Sequence, residues 1–329
     1  MKSVILFLFA AFAGSQAVFA AGSELTLGDV AARLSEIPEY AAEASFVVSM
    51  PQMPDDVAYD LRLGSRRVPA DTLAPCDYLI DWTLRSGNGD TRGFSSYFDG
   101  NHYRYNGENR LLEYHIDWDP SPFADCSSPG RYSPGIQRSA QFANFLPGFI
   151  ADDFRRWSSD PSYSLHVNAD TVVGGEHRVA VVMRRVVGGE TVGEGVYLFD
   201  SATMFPVSVD LENNPGSLSE QTVAVRYGGA QPEHAVAVPA SEEALIERYP
   251  DVFGRFRTST FRVESLVGEP LPAFSLPTVG GERFSRGRRD RMPAPTAVLI
   301  FDPVAGFASE MIADLRAAAS ELPYAPMLI

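Results

Sequence analysis

The chain has 329 residues, a formal net charge of −15, and two cysteines, Cys76 and Cys126. A surface of that sign repels phosphate backbones and anionic headgroups, which argues against a nucleic-acid partner. The length suffices for two domains with separate cores, and the lack of any cysteine after Cys126 excludes dithiol chemistry in the C-terminal half.

One lysine precedes a dense apolar run, Val4 to Phe12, which continues through small residues to Ala20. This is the pattern of a secretory signal, expected to span residues 1–20 and to be cleaved near Ala20. The run is short for a membrane span of about 30 Å. No cysteine follows it to carry a lipid, and no later stretch is long and apolar enough to cross a bilayer. The expectation is a soluble protein exported to the periplasm or the extracellular space. In such a compartment Cys76 and Cys126 are expected to form a structural disulfide, with two free thiols as the alternative. The bridge would close a loop of about 50 residues and contribute on the order of 4 kcal/mol.

Thr26-Leu27-Gly28-Asp29 leads into Val30, Leu34 and Ile37, whose spacing predicts a short amphipathic helix. Strand patterns follow at Ser45–Met50, Val57–Leu63 and Cys76–Leu84. In the last, Tyr78, Ile80, Trp82 and Leu84 share one face, Asp77, Asp81 and Thr83 the other, and Leu79 breaks the pattern. Phe94–Phe98, His102–Tyr105 and Leu111–Ile116 are separated by Asp99-Gly100-Asn101 and Asn106-Gly107, which read as tight hairpin turns. A loop rich in Pro, Ser and Asp (117–134) interrupts the meander. A helical stretch is expected over about Gly135 to Trp157, broken at Pro147-Gly148. Strands then resume at Ser164–Val167, Arg178–Val187, Gly195–Phe199, Val207–Leu211 and Thr222–Tyr227. Such a series makes an α+β domain, and a sheet this long must curl or close to protect its edges. Residues 231–265 read as a linker with a short helix at Ser241–Arg248.

The N-terminal helix followed by Ala44-Ser45-Phe46-Val47, the Phe98-Asp99-Gly100-Asn101-His102-Tyr103 turn, and the pair Leu198-Phe199-Asp200 and Phe205-Pro206-Val207 resemble the LolA/LolB-like lipoprotein carriers over about residues 27–228. The resemblance implies a curved antiparallel sheet, an open β-barrel with helices, occupying residues 21–230 and holding an apolar ligand. On that reading Tyr78, Ile80, Trp82 and Leu84 are the candidate ligand face. Phe142, Phe145 and Phe149 are then a lid over the interior or a plug within it. His102 and His115 lie on neighbouring strands and could meet across a hairpin, but paired surface imidazoles are usually bland, and no metal or cofactor is expected.

From Gly268, the run Gly-Glu-Pro-Leu-Pro-Ala-Phe-Ser-Leu-Pro-Thr-Val-Gly-Gly-Glu-Arg-Phe-Ser and the apolar strand Thr296–Phe301 resemble the opening of the thioredoxin-like thiol-disulfide oxidoreductase and peroxiredoxin group, over residues 266–329. There the resemblance implies a partial α/β segment. Its two redox cysteines would fall at Gly306 and Ser309, before a helix carrying Met311, Ile312, Leu315 and Ala318, and a serine hydroxyl cannot replace a thiolate. The expected function is therefore a non-enzymatic carrier or binding role, for an apolar ligand or an envelope protein partner. The rival readings are a thiol-disulfide oxidoreductase and an interaction module of the envelope.

Overall fold

The alternating patterns resolve into one sheet. A computed structural model describes residues 25–87, 89–107, 110–128, 131–228, 236–257, 274–278, 282–287, 290, 295–299, 308–322 and 327–328. The expected signal segment and Gly306 lie outside the described residues. Two compact units, Met1–Phe256 and Arg257–Ile329, divide the chain.

The first unit is α+β. Its strands are β1 (Glu39–Ser49), β2 (Val57–Arg66), β3 (Asp77–Arg85), β4 (Thr91–Phe98), β5 (Asn101–Tyr105) and β6 (Leu111–His115), then the small hairpin β7 (Cys126–Ser128) and β8 (Arg131–Ser133). They continue with β9 (Tyr163–Val173), β10 (Glu176–Val187), β11 (Glu190–Asp200), β12 (Pro206–Asn213) and β13 (Gln221–Tyr227). Eleven of them form a single curved antiparallel sheet in the order β6-β5-β4-β3-β2-β1-β13-β12-β11-β10-β9. Two local meanders thus meet along one seam, where Ala44 pairs with Tyr227 and Ser49 with Thr222. The expected turn between β4 and β5 is present. Asp99 and Gly100 have φ of 48° and 70°, the positive pair that a type I′ hairpin needs.

Helix α1 (Leu27–Ser35) starts in a capping box, with the Asp29 amide donating to Thr26 Oγ1 and the Thr26 amide donating to Asp29 Oδ2. Helix α2 (Pro147–Ser158) begins at Pro147, where the break was expected, and the stretch before it from Gly135 holds only a 3₁₀ turn at Ala143–Phe145 instead of a helix. Proline at the first helical position costs nothing, because that amide has no intrahelical partner. Both helices pack on one face of the sheet, the inner face. Val30 and Leu34 of α1 and Phe149, Ile150 and Phe154 of α2 join Phe46, Leu61, Leu63, Ile80, Val181, Phe199, Val209 and Val225 in one core.

The outer face is covered as well. Residues 231–265, expected as a linker with a short helix, hold two helices, α3 (Glu242–Arg248) and α4 (Pro250–Arg257). Ser241 caps α3 as its sequence suggests, with Oγ accepting from the Ala244 amide. Val236, Leu245 and Phe253 pack on Leu79, Phe94, Phe98 and Tyr103. Phe94 stacks on Tyr249 at 4.1 Å, and the Tyr103 hydroxyl donates to Glu242 at 3.0 Å. Leu79, the exception in the β3 alternation, is fully buried because this part of the sheet is sandwiched. Gly64 is where the segment crosses β2, since a Cβ there would sit 2.2 Å from the Val236 carbonyl oxygen.

The second unit holds the antiparallel hairpin β14 (Phe274–Pro277) and β15 (Arg283–Arg286). The two-residue strands β16 (Thr296–Ala297) and β17 (Met327–Leu328) run parallel, with α5 (Ala308–Ser320) between them in the chain. Ser309 is exposed in the first turn of α5.

Candidate functional site

Successive residues of the antiparallel register fix which side chains share a row across the inner face. One row reads Tyr40, Ser65, Tyr78, Tyr97, His102 and Tyr114, crossing β1 to β6. All six carry a polar atom. Further along the strands the rows become mainly apolar: Ala42, Leu63 and Ile80, then Ala44, Leu61 and Trp82, then Phe46, Tyr59 and Leu84, with the Trp82 indole N–H and the Tyr59 hydroxyl as their side-chain polar atoms. The inner face therefore has a polar-tipped end and a mainly apolar end.

The expected ligand face lies here. Tyr78 and Ile80 are fully buried, Trp82 is 7% exposed, and Leu84 is half-buried at the strand end. The Trp82 indole lies over Gly93, where a Cβ would approach it to 2.2 Å. The interior is filled. Phe142 meets Phe46 and Tyr59 edge-on at 5.0 and 5.1 Å, Phe145 meets Phe46 at 5.5 Å, and Phe149 meets Tyr78 at 5.7 Å. Phe142 is held in the left-handed region, φ 68° and ψ 0°, a conformation that costs a bulky side chain about 1–2 kcal/mol. The Tyr227 hydroxyl secures the segment by donating to the Phe145 carbonyl at 2.9 Å.

At the polar end, Tyr78 donates to the Gln137 carbonyl at 2.9 Å and Tyr97 donates to Asp71 Oδ2 at 2.7 Å. The Gln137 side-chain amide donates to the Leu73 and Phe123 carbonyls, while its Oε1 is buried without a partner. His102 is 2% exposed, and neither ring nitrogen has a partner. Burial lowers its pKa to about 3, with the Arg104 charge adding to the effect, so the imidazole is neutral.

His102 and His115 do not meet. The register sets His102 against Tyr114 and His115 against Asn101, placing the imidazoles on opposite faces. His115 binds Asn101 Oδ1 through Nδ1 at 2.7 Å and stacks under the exposed Trp118. Among the described residues no group of three His, Cys, Asp or Glu could hold a metal ion.

The expected disulfide is not formed. Cys76 is a free thiol buried at the entry to β3, against the start of α2, and Cys126 is a free thiol exposed on β7. One sulfur belongs to the core and the other to a surface hairpin. Burial and the nearby Asp77 charge push the Cys76 thiol far above the usual range, which makes it inert.

On the outer face a cleft of about 710 Å³ runs beside α3 and α4, lined by Asp60, Asp81, Arg85, Arg92, Phe94 and Tyr249 among others. Its charges are largely engaged: Arg85 binds Asp60 and Asp90, and Asp81 accepts from Arg248 and Tyr249. Burial also raises the pKa of Asp77, although Arg66 donates to it at 2.8 Å. Neither the clasp that residues 236–257 form over the outer face nor the polar row was part of the sequence reading. Leu79 and Gly64 were signals for the clasp, and the row emerges only from the register.

No protein-family model matches the chain, and a search of curated proteins finds no match by sequence. Among solved structures the chain is similar to LprF from Mycobacterium bovis, at 9% identity and a TM-score of 0.34, over 65% of this chain and 93% of that one. It is similar to a LolA superfamily protein from Nitrosomonas europaea at 7% identity and 0.27, over 66% and 96%. In the Pseudomonas aeruginosa MucA/MucB complex the figures are 15% and 0.32, over 66% and 60%. These likenesses are slight, and the fold stands on its own strands and register.

Proposed function

We propose that the sheet unit is an exported, non-catalytic carrier of an apolar chain, and that its interior is stopped by a displaceable aromatic plug. The observation that carries this reading is Phe142, an aromatic side chain in a strained backbone conformation, inserted against Phe46 and Tyr59 on a mainly apolar row. Strain of this kind persists only where the surroundings over-determine it, and it clusters at active sites, ligand clamps and switch regions. A ligand taking the place of Phe142 and Phe145 would find Phe46, Tyr59, Trp82 and Leu61 already arranged along the strands. The second unit acts in this reading as a thioredoxin-like segment without redox chemistry, because it has no thiol.

The test is binding of a fluorescent long-chain acyl probe to the full chain and to Phe142→Ala. An apparent affinity is reduced by the fraction of protein in the competent state. Weakening the plug should therefore tighten binding at least tenfold, while the probe remains displaceable by unlabelled lipid. Failure of both proteins to bind the probe, or equal affinity in both, overturns the reading.

A further inference from the structure

Three residues at the polar-tipped end of the inner face, Tyr40, His102 and Gln137, have buried polar atoms that lack the partners such groups almost always have. The Tyr40 hydroxyl lies at the β1 end of the row, while both nitrogens of His102 and Gln137 Oε1 are orphaned together at the other end. His102 and Gln137 both neighbour Tyr78: its hydroxyl donates to the Gln137 backbone, and its ring lies 6.5 Å from the imidazole. Tyr97 and Tyr114 flank His102 in the register, and the Tyr114 ring is 6.0 Å away. The row continues into the mainly apolar rows that meet the plug. From Tyr78 to Leu84 the distance along β3 is roughly 20 Å at 3.4 Å per residue. A chain lying along the strands would thus have its polar end beside His102 and its tail beside Phe46 and Tyr59.

We infer that His102 and Gln137 form the polar terminus of the carrier's ligand path and receive the uncharged, hydroxyl- or ester-bearing head of a neutral acyl lipid. A neutral imidazole offers one N–H donor and one acceptor, and Gln137 Oε1 offers a second acceptor. A head that both donates and accepts, such as a glycerol monoester, complements that set. A carboxylate or phosphate does not. An ionised carboxylate or a phosphate diester has no proton to give the two acceptors, and its charge would be desolvated there.

The inference rests on the carrier reading, and the experiment separates the two. Native mass spectrometry of the full chain with monoolein and oleate at equal concentration, at pH 8, measures their relative occupancy. The expected result is at least a tenfold preference for monoolein that falls to within twofold in His102→Phe. A second readout uses the unaltered protein: the ¹⁵N shifts of the His102 imidazole should move with monoolein and stay put with oleate. Equal or greater oleate occupancy, or a preference that His102→Phe leaves intact, overturns the inference while leaving a carrier. Binding of neither lipid, by the full chain or by Phe142→Ala, overturns the carrier reading and the inference with it.

Discussion

Truncating Phe253 tests whether the two short helices on the outer face belong to the fold. Its ring is 2% exposed, lies 6.4 Å from Phe94 and 6.1 Å from Tyr103, and forms part of a buried cluster with Leu79, Phe98 and Leu245. Phe→Ala at such a site costs about 3–5 kcal/mol when the surroundings cannot collapse. A linker resting on the sheet would lose less than about 1 kcal/mol, the usual range for surface changes. Gly64→Ala perturbs the same clasp from the sheet side, because the new methyl meets backbone at 2.2 Å and the chain at Val236 must move. If Gly64→Ala lifts the clasp, Phe253 has already lost its packing in that background. The double variant should then be less destabilised than the sum of the singles by 1 kcal/mol or more. Urea unfolding followed by circular dichroism and by tryptophan emission supplies all four free energies. A loss below 1 kcal/mol for Phe253→Ala, or strict additivity in the cycle, refutes the claim that 236–257 completes the core.

Three further outcomes are expected. At Phe142 the usual ranking of glycine and alanine should invert: both variants lose the plug ring, but Phe142→Gly should be about 1 kcal/mol more stable than Phe142→Ala because φ is 68°, and a more stable alanine variant would contradict the strained geometry. A thiol reagent should modify only Cys126 in the native protein and both cysteines after denaturation; finding no thiol under denaturing conditions would restore the disulfide. The pKa of His102 is depressed to about 3, below the unfolded value of about 6.5, so the native state declines a proton that the unfolded chain accepts. Its contribution is intact above pH 6.5 and is lost as pH falls towards 3, amounting to about 2 kcal/mol at pH 5. Burial holds Tyr78 and Tyr97 well above the ordinary tyrosine range, so both stay neutral across that window; against the unaltered protein, His102→Phe should show a flatter acid limb, and parallel pH profiles would refute the assignment.

The strands were legible because β-rich runs and glycine turns are local signals. Every strand of the sheet lies where a pattern predicted one, and Thr26, Ser241 and the Asp99-Gly100 pair marked their caps and turn directly. What the sequence could not carry was which strands neighbour one another across the chain. The polar-tipped row exists because Tyr40, Ser65, Tyr78, Tyr97, His102 and Tyr114 come into line, and one residue of slip would scatter it across both faces. The disulfide failed for a related reason. Cysteine count and compartment say nothing about where two side chains point, and Cys76 points into the core. Pro147 was read as a breaker, although proline is equally at home at a helix start, and only the backbone before it decides.

The seam between β1 and β13 bears on how the molecule comes to exist. Each meander can zip up from its own hairpins as it emerges, but the strand at the centre of the sheet is made first and its second partner nearly last. Until Gln221–Tyr227 arrives, Glu39–Ser49 presents a bare edge with apolar side chains on one face, and the loop to be closed is most of the domain. Contacts so distant along the chain slow the final step and leave a long-lived half-sheet open to mispairing. A chaperone that shields extended apolar strands would accordingly find its substrate in the nascent form of this protein.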